Sequence, residues 1–343
     1  MRRPAILAAG LLAFSGLAAL VLTTVLPPLP ALAQDETVSA NRIPTFMGAA
    51  PGERVQGLIW RGGLQLHSAS DAFGGLSGIG AVSDDSRFVM VSDTGHFVSG
   101  QLIYDDQLRP LSLVGVEVEP IRNSGGAPLP RPYTRDAEAL AVIFREGQAA
   151  AVRVGFENLT RVADFQLTNG RPGGPAREVN IPAWLSNTRT NRSIESVCIA
   201  PPASPIAGST LLLTEGVISE DGLHTGELLG VADRGPIYYR AGPGSDPTDC
   251  AFLPNGDLLV LERGLALLSF TMKLRRVPAD QVHPGARMQG EILLEVSGGD
   301  IDNMEGLAAH AGPDGETRVT IVSDNNFNDW QRTLLLQFSL AGD

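Results

Sequence analysis
The chain has 343 residues, enough for one large domain or two ordinary ones. Acidic residues outnumber basic ones by 38 to 26, and the only lysine is Lys273. A net charge of −12 argues against nucleic acid or an anionic membrane surface as the main partner. It suits metal cations, or a surface that simply keeps the protein dissolved. Gly 39 and Pro 24, with few long periodic stretches, favour a turn-rich β protein.

At the N-terminus, Arg2-Arg3 precede an apolar run from Ala5 to Leu26, three prolines (Pro27, Pro28, Pro30) and Ala31-Leu32-Ala33. A positive start, an apolar centre and an A-x-A end form the pattern of a secretory signal peptide, 1–33, cleaved before Gln34. An uncleaved anchor is the alternative, since about 22 apolar residues span a bilayer. The helix breakers and small residues sit where a peptidase needs them and favour cleavage. The expected product is periplasmic or secreted, with no stable membrane span. The paired arginines fit twin-arginine export, without its usual flanking residues. Residues 34–54 are polar and are expected to form a flexible leader, with the folded domain at 55–343. Val55 to Leu66 read as its first strand.

A strand pair then repeats five times, each pair opened by a register residue and closed by an acid. Gly75-Leu76-Ser77-Gly78-Ile79 answers Phe88 to Asp93. Asp136-Ala137-Glu138-Ala139-Leu140 answers Ala151 to Glu157. Ser193-Ile194-Glu195-Ser196-Val197 answers Leu211 to Glu215. Pro247-Thr248-Asp249-Cys250-Ala251 answers Leu258 to Glu262. Asp302-Asn303-Met304-Glu305-Gly306-Leu307 answers Thr320 to Asp324, across the hairpin turn Gly312-Pro313-Asp314-Gly315. Register residues Ser77, Glu138, Glu195, Asp249 and Glu305 recur about every 57 positions. Short strands at that period predict an all-β fold, a β-propeller with one four-stranded sheet per blade. Five blades fill the length, and a sixth is the alternative if the irregular 99–135 segment conceals one. The fifth copy has room for three strands, so the N-terminal strand is expected to close the last blade and remove its exposed edge.

In an antiparallel hairpin the start of one strand lies beside the end of the next. Opening acids (Glu138, Glu195, Asp249, Glu305) and closing acids (Asp93, Glu157, Glu215, Glu262, Asp324) are therefore expected to gather at one mouth of the channel. Crowded carboxylates raise one another's pKa unless cations neutralise them, and hard oxygen donors favour Ca²⁺. Glu138, Glu195, Glu305 and Asp324 are the candidate metal ligands, with Asn326 from the alternating Asp324-Asn325-Asn326-Phe327-Asn328 loop. A turn-flanking acid that only caps its own hairpin is the competing reading for any one of them. Glu157 and Asp249 are candidate general bases. Arg135 and Arg263 are candidate binders of an anionic substrate, or simple partners of neighbouring acids. His96, after Asp93 at a mouth loop, is the best acid–base candidate among the five histidines, none of which forms an i,i+4 pair or HExxH. Gly75 to Ile79 lacks the second glycine of a nucleophile elbow. Cys198 and Cys250 stand at +3 and +1 from residues 195 and 249. That shared parity argues against a disulfide.

The Gly-Leu-Ser-Gly-Ile stretch, Arg135-Asp136-Ala137-Glu138-Ala139-Leu140, Asp302 to Leu307 and Ser323-Asp324-Asn325-Asn326-Phe327 resemble the phytase-like domain family, exported bacterial propellers labelled "esterase-like activity of phytase". The resemblance runs from about Gly57 to Leu340. It implies hydrolysis of carboxylic or phosphate esters, with a small-molecule substrate and calcium by analogy to β-propeller phytases. The chain lacks the Asp-Ala-Asp-Asp-Pro signature of those phytases, which argues against phytate itself. A non-catalytic propeller that binds a ligand or a protein partner around structural calcium is the competing expectation. A lactone hydrolase with Asn303 and Asn326 as ligands is a third.

Overall fold
A computed structural model describes residues 33–83, 86–267 and 269–341. The expected signal peptide therefore lies almost wholly outside the described residues, and no described helix is long and apolar enough to cross a membrane. Four strands come first: β1 (Gln34–Glu36), β2 (Val38–Ile43), β3 (Arg54–Val55) and β4 (Leu58–Ser68). Blade 1 follows as β5 (Leu76–Ala81), β6 (Arg87–Ser92), β7 (His96–Tyr104) and β8 (Pro110–Pro120). A crossover carrying the short α1 (Pro132–Arg135) leads to blade 2: β9 (Ala137–Arg145), β10 (Gln148–Phe156), β11 (Arg161–Thr168) and β12 (Arg171–Val179). After α2 (Ala183–Ser186), blade 3 is β13 (Ile194–Ile199), β14 (Thr210–Ile218), β15 (His224–Leu229) and β16 (Gly235–Tyr239). Blade 4 begins with β17 (Ser245–Phe252), β18 (Leu258–Ala266) and β19 (Ser269–Val277). The connector β20 (Arg287–Met288) then pairs back onto β16, and β21 (Glu291–Ser297) completes the blade. Blade 5 is β22 (Asn303–Ala311), β23 (Thr317–Asp324) and β24 (Thr333–Leu340), with β4 as its fourth strand.

The innermost strands β5, β9, β13, β17 and β22 contact one another in that cyclic order, which closes a five-bladed ring. Segment 99–135 is the outer half of blade 1 and its crossover, not a sixth blade. The N-terminal strand closes blade 5 as expected. The leader differs from expectation. Residues 34–36 pair with β8 on the outer edge of blade 1, and 38–43 pair with β4 on the outer edge of blade 5. Unpaired edge amides recruit these residues, and Val38, Ala40 and Ile43 add apolar contacts with the adjoining clusters.

Hydrophobic burial follows the period of two in each strand. In β18, Leu258 and Val260 pack toward blade 3, while Leu259 and Leu261 pack toward blade 5. The described residues form five such clusters, one in each seam between neighbouring blades. Strands buried on both faces are rich in apolar residues on each, and β24 is buried at every position, its Thr333, Gln337 and Ser339 included. Each fully buried leucine contributes about 2 kcal/mol.

Every innermost strand carries a one-residue bulge near its start, at Ser77, Glu138, Glu195, Thr248 and Glu305. Blade 4 is therefore registered on Thr248 and not on Asp249. That shift of one residue reverses the parity argument for the cysteines. Cys198 stands at +3 and faces blade 4, Cys250 stands at +2 and faces blade 3, and the two are bonded across the seam.

Candidate active site: an acidic mouth at the head of the channel
The bulges and the strand register build two rings of side chains at one end of the channel. The bulge residues form the first: Ser77, Glu138, Glu195, Thr248 and Glu305. The second comprises the residues that close each second strand: Asp93, Glu157, Glu215, Arg263 and Asp324. Each of these faces the position two before its bulge. Backbone bonds place Asp93 on Gly75, Glu157 on Asp136 and Glu215 on Ser193, while the ladder pairs Arg263 with Asp246 and Asp324 with Asn303. Seven carboxylates and one guanidinium thus share two adjacent layers. Asp136 adds an eighth carboxylate at the rim.

Distances bear out the convergence. Carboxylate oxygens of Asp136, Glu138 and Glu157 lie within 4.8 Å of one another. Arg263 occupies an acid's place in the second ring. Its Nη1 donates to Glu305 and to Asn303 Oδ1 (2.6 Å), and its Nη2 lies 3.7 Å from Glu215 Oε1. Asn303 Nδ2 donates to Glu305 Oε1 at 2.9 Å. Arg263 is therefore the internal counterion of the mouth, and its guanidinium is already engaged. Arg192 bridges Glu215 (3.0 Å) and Asp246 (2.8 Å) above it.

Burial and crowding govern protonation here. Burial, then the charges of Glu195, Asp136 and Glu305, hold the Glu138 carboxyl far above its ordinary range. Burial and the charges of Glu157, Glu305 and Glu215 do the same for Glu195, against the opposing pull of Arg263. Glu157 is pushed up to about 9 by burial and Glu138, even though it accepts the Ser193 amide. Burial raises Glu305 to about 7, with Arg263 opposing. Asp93 rises to about 7 through burial and the charges of Asp324 and Asp136, and its Oδ1 is buried without a hydrogen-bond partner. Burial raises Asp324 to about 6. Without a cation, much of the mouth is protonated at neutral pH. Hard oxygen donors in this number, with a close triad at Asp136, Glu138 and Glu157, are a donor set whose chemistry fits a hard cation.

The remaining candidates separate. His96 lies at the mouth, its Nδ1 3.2 Å from Thr94 Oγ1, which is 2.7 Å from Ser92 Oγ. Burial and the nearby Arg135 charge lower its pKa, so the imidazole is neutral at pH 7. Arg135 ends α1 and donates its Nε to Leu129 O (2.8 Å), its side chain packing beside Gly95 in the 93–96 loop. Asp249 is not a base at the mouth. It sits one residue past the bulge, where the other blades carry Gly78, Ala139, Ser196 and Gly306, and that position faces the neighbouring inner strand. Its Oδ2 accepts the Leu307 amide (2.7 Å), its Oδ1 accepts the Cys250 amide (2.8 Å), and it is 0 % exposed. Glu262 is likewise structural, held by Tyr239 Oη (2.7 Å), the Gly242 amide and Arg275 (2.8 Å). Asn326 is exposed, with its side-chain amide donating to Gln331 while its backbone amide donates to Asp324 Oδ1. Asp93, Asp136 and Glu215 stand at the mouth beside the expected ligands. Their place at the strand ends was the available signal.

Three comparisons bear on this arrangement. The family model described as "Phytase-like: Esterase-like activity of phytase" matches residues 71–327. No curated protein matches the chain. Among solved structures, the PQQ-bound form of an aldose sugar dehydrogenase from Streptomyces coelicolor is similar at TM-score 0.44 and 11% identity, over 81% of this chain and 98% of that one. A glucose dehydrogenase is similar at TM-score 0.39 and 12% identity, over 78% and 97%.

Proposed function
The chain belongs to the phytase-like family, and on that premise we propose that it is an exported, calcium-dependent hydrolase of small ester or phosphoester substrates acting at the acidic mouth. The observation that carries this reading is the imbalance within the two rings, seven carboxylates against Arg263 alone. Asp136, Glu138 and Glu157 are the residues that would hold a first ion, and Asp324, whose charge acts on both Asp93 and Glu305, would share a second with them. Bound calcium supplies neutralisation of an anionic substrate and a lowered pKa for water.

The chain's own groups have distinct tasks in this reading. His96, neutral at pH 7 and oriented by Thr94, accepts the proton from an attacking water. Glu157, whose carboxyl burial and Glu138 push up to about 9, would give up its proton on holding the ion, so its task is that of a ligand and not of an acid. Arg135 steadies the anionic end of the substrate at the rim, while Arg263 sets the charge of the rings from within. Asp249 has no part in the chemistry. That loss gives weight to a second reading, a propeller that binds a ligand around calcium without turnover.

Purified 34–343 should release phosphate or acyl product from phosphomonoesters or p-nitrophenyl esters with added Ca²⁺, and stop with EDTA. Glu138→Gln should lose that activity while remaining folded. A folded protein that releases nothing from either class, with or without Ca²⁺, leaves the binding propeller as the answer.

A further inference from the structure
Beyond Asp324 the β23–β24 loop makes a tight turn. The Asn328 amide donates to Asn325 O at 2.9 Å, and the two central residues, Asn326 and Phe327, have φ of 46° and 49°. This is a type I′ turn, whose second central position favours glycine, so a phenylalanine there is strained. Asp324 Oδ1 accepts the Asn326 amide (2.5 Å), and Asn325 Oδ1 accepts the Phe327 amide (3.3 Å). Asn325 Oδ1 also accepts the Gly75 amide at 2.9 Å, which ties the turn across to blade 1. The result is placement of the ring. A Cβ added at Gly75 would come within 2.4 Å of the Phe327 ring and 2.2 Å of Asp93 Oδ1. Only a bare glycine separates the ring from a carboxylate of the mouth. Phe327 is still 38 % exposed, and three residues on, Trp330 is 93 % exposed. An exposed aromatic ring beside the Asp93 carboxylate, held there against backbone preference, is suited to an apolar ligand group.

We propose that the 325–332 loop is a specificity lip. Phe327 and Trp330 receive the aryl or alkyl part of a substrate whose ester or phosphoester group lies over the carboxylates. The substrate class is thus a monoester with one apolar arm, in preference to a polyphosphate charged on every side. The turnover part rests on the hydrolase reading above, while the binding part does not.

Two measurements on the mature chain with Ca²⁺ test it. Calorimetry compares phenylphosphonate with methylphosphonate, neither of which needs to be hydrolysed. Steady-state kinetics compares phenyl with methyl phosphate. Phe327→Asn removes the ring and keeps the turn, since asparagine adopts positive φ readily. Its phenyl-over-methyl preference should fall about tenfold in affinity and in kcat/KM, as should that of Trp330→Ala, the scale expected for one covered ring face. Val231→Thr, in the β15–β16 loop at the end of blade 3 remote from the mouth, should leave the preference unchanged. Phenylphosphonate binding that depends on Phe327, in a protein that turns nothing over, would end the hydrolase reading and keep the lip. Equal phenyl preference in wild type and Phe327→Asn, or no phenylphosphonate binding by wild type, overturns the lip.

Discussion
At the scale of single residues, Asp249 and the ring carboxylates show the same side-chain type in opposite tasks. Asp249 accepts two backbone amides and sits where no solvent reaches, one of those amides belonging to the next blade. Asp249→Ala should cost about 2–3 kcal/mol in denaturant unfolding, the cost of leaving those donors unsatisfied. Activity per folded molecule should be unchanged, and a loss of turnover with normal stability would return Asp249 to the chemistry. The ring acids instead hold protons more tightly folded than unfolded. Unfolded carboxyls release theirs near pH 4, whereas Asp324 does so at about 6, Asp93 and Glu305 at about 7 and Glu157 at about 9. Between those limits the unfolded chain has lost more protons, so stability falls as pH rises from about 4 to 9. In EDTA the Tm should therefore drop from pH 5 to pH 8. Added Ca²⁺ should raise the Tm more at pH 8, where it does not compete with protons, through a stabilisation of about 2.7 kcal/mol at 100 Kd. A Ca²⁺ shift equal at both pH values would mean that the ion binds elsewhere than these carboxyls.

At the scale of the element, the repeated bulge is the unit from which the site is made. The Glu305-Gly306-Leu307 motif states it: Glu305 is the bulge, and Gly306 lets the strand approach its neighbour. A Cβ on Gly306 would come within 3.1 Å of Gly78 Cα, and the Leu307 amide is taken by Asp249. The five-fold repeat and the strand closing blade 5 were legible in the sequence because every blade repeats the same apolar alternation. The acidic mouth was legible because its acids end strands. Blade 4 departs from the expected register by one residue, since its bulge is a threonine and its closing ring residue an arginine, with the acids Asp249 and Glu262 standing next to each. In a strand one residue is a change of face, and the cysteine pairing and the role of Asp249 both went astray with it. The bonded pair joins strands 52 residues apart in sequence. Loop-closure entropy for that span is about 4 kcal/mol, with measured losses typically 2–5 kcal/mol. Cys198→Ala with Cys250→Ala should lower stability by that amount and leave calcium binding intact. No change in the unfolding midpoint on reduction or double substitution would show that the bridge adds nothing to packing in this seam.

At the scale of the whole molecule, the two ends of the chain meet inside blade 5, where β4 pairs with β24, and the leader reinforces the neighbouring seam between blades 5 and 1. Residues 34–43 span it, β1 covering the edge of blade 1 and β2 the edge of blade 5. Ser70 Oγ donates to Glu36 Oε1 at 2.8 Å, and Arg42 of β2 pairs with Asp105 of blade 1 at 2.6 Å. The exposed ion pair contributes little, about 0–1 kcal/mol, so the backbone pairing carries the effect. The same seam holds part of the mouth, because Asp93 comes from blade 1, Asp324 from blade 5, and the burial and mutual repulsion that raise Asp93 depend on that approach. Beginning the chain at Pro44 should uncover both outer edges. We expect a loss of about 2–3 kcal/mol, or roughly 5 °C in Tm, together with concentration-dependent association through the bared strands. Calorimetry and light scattering on the truncated protein read these two effects, and a calcium titration should show weaker binding as the seam loosens. An unchanged Tm in a monodisperse protein would assign closure to the β4–β24 pairing alone. Unchanged calcium affinity alongside a lowered Tm would place the ion wholly on blade 2, at Asp136, Glu138 and Glu157, and would separate the metal site from the closure of the ring.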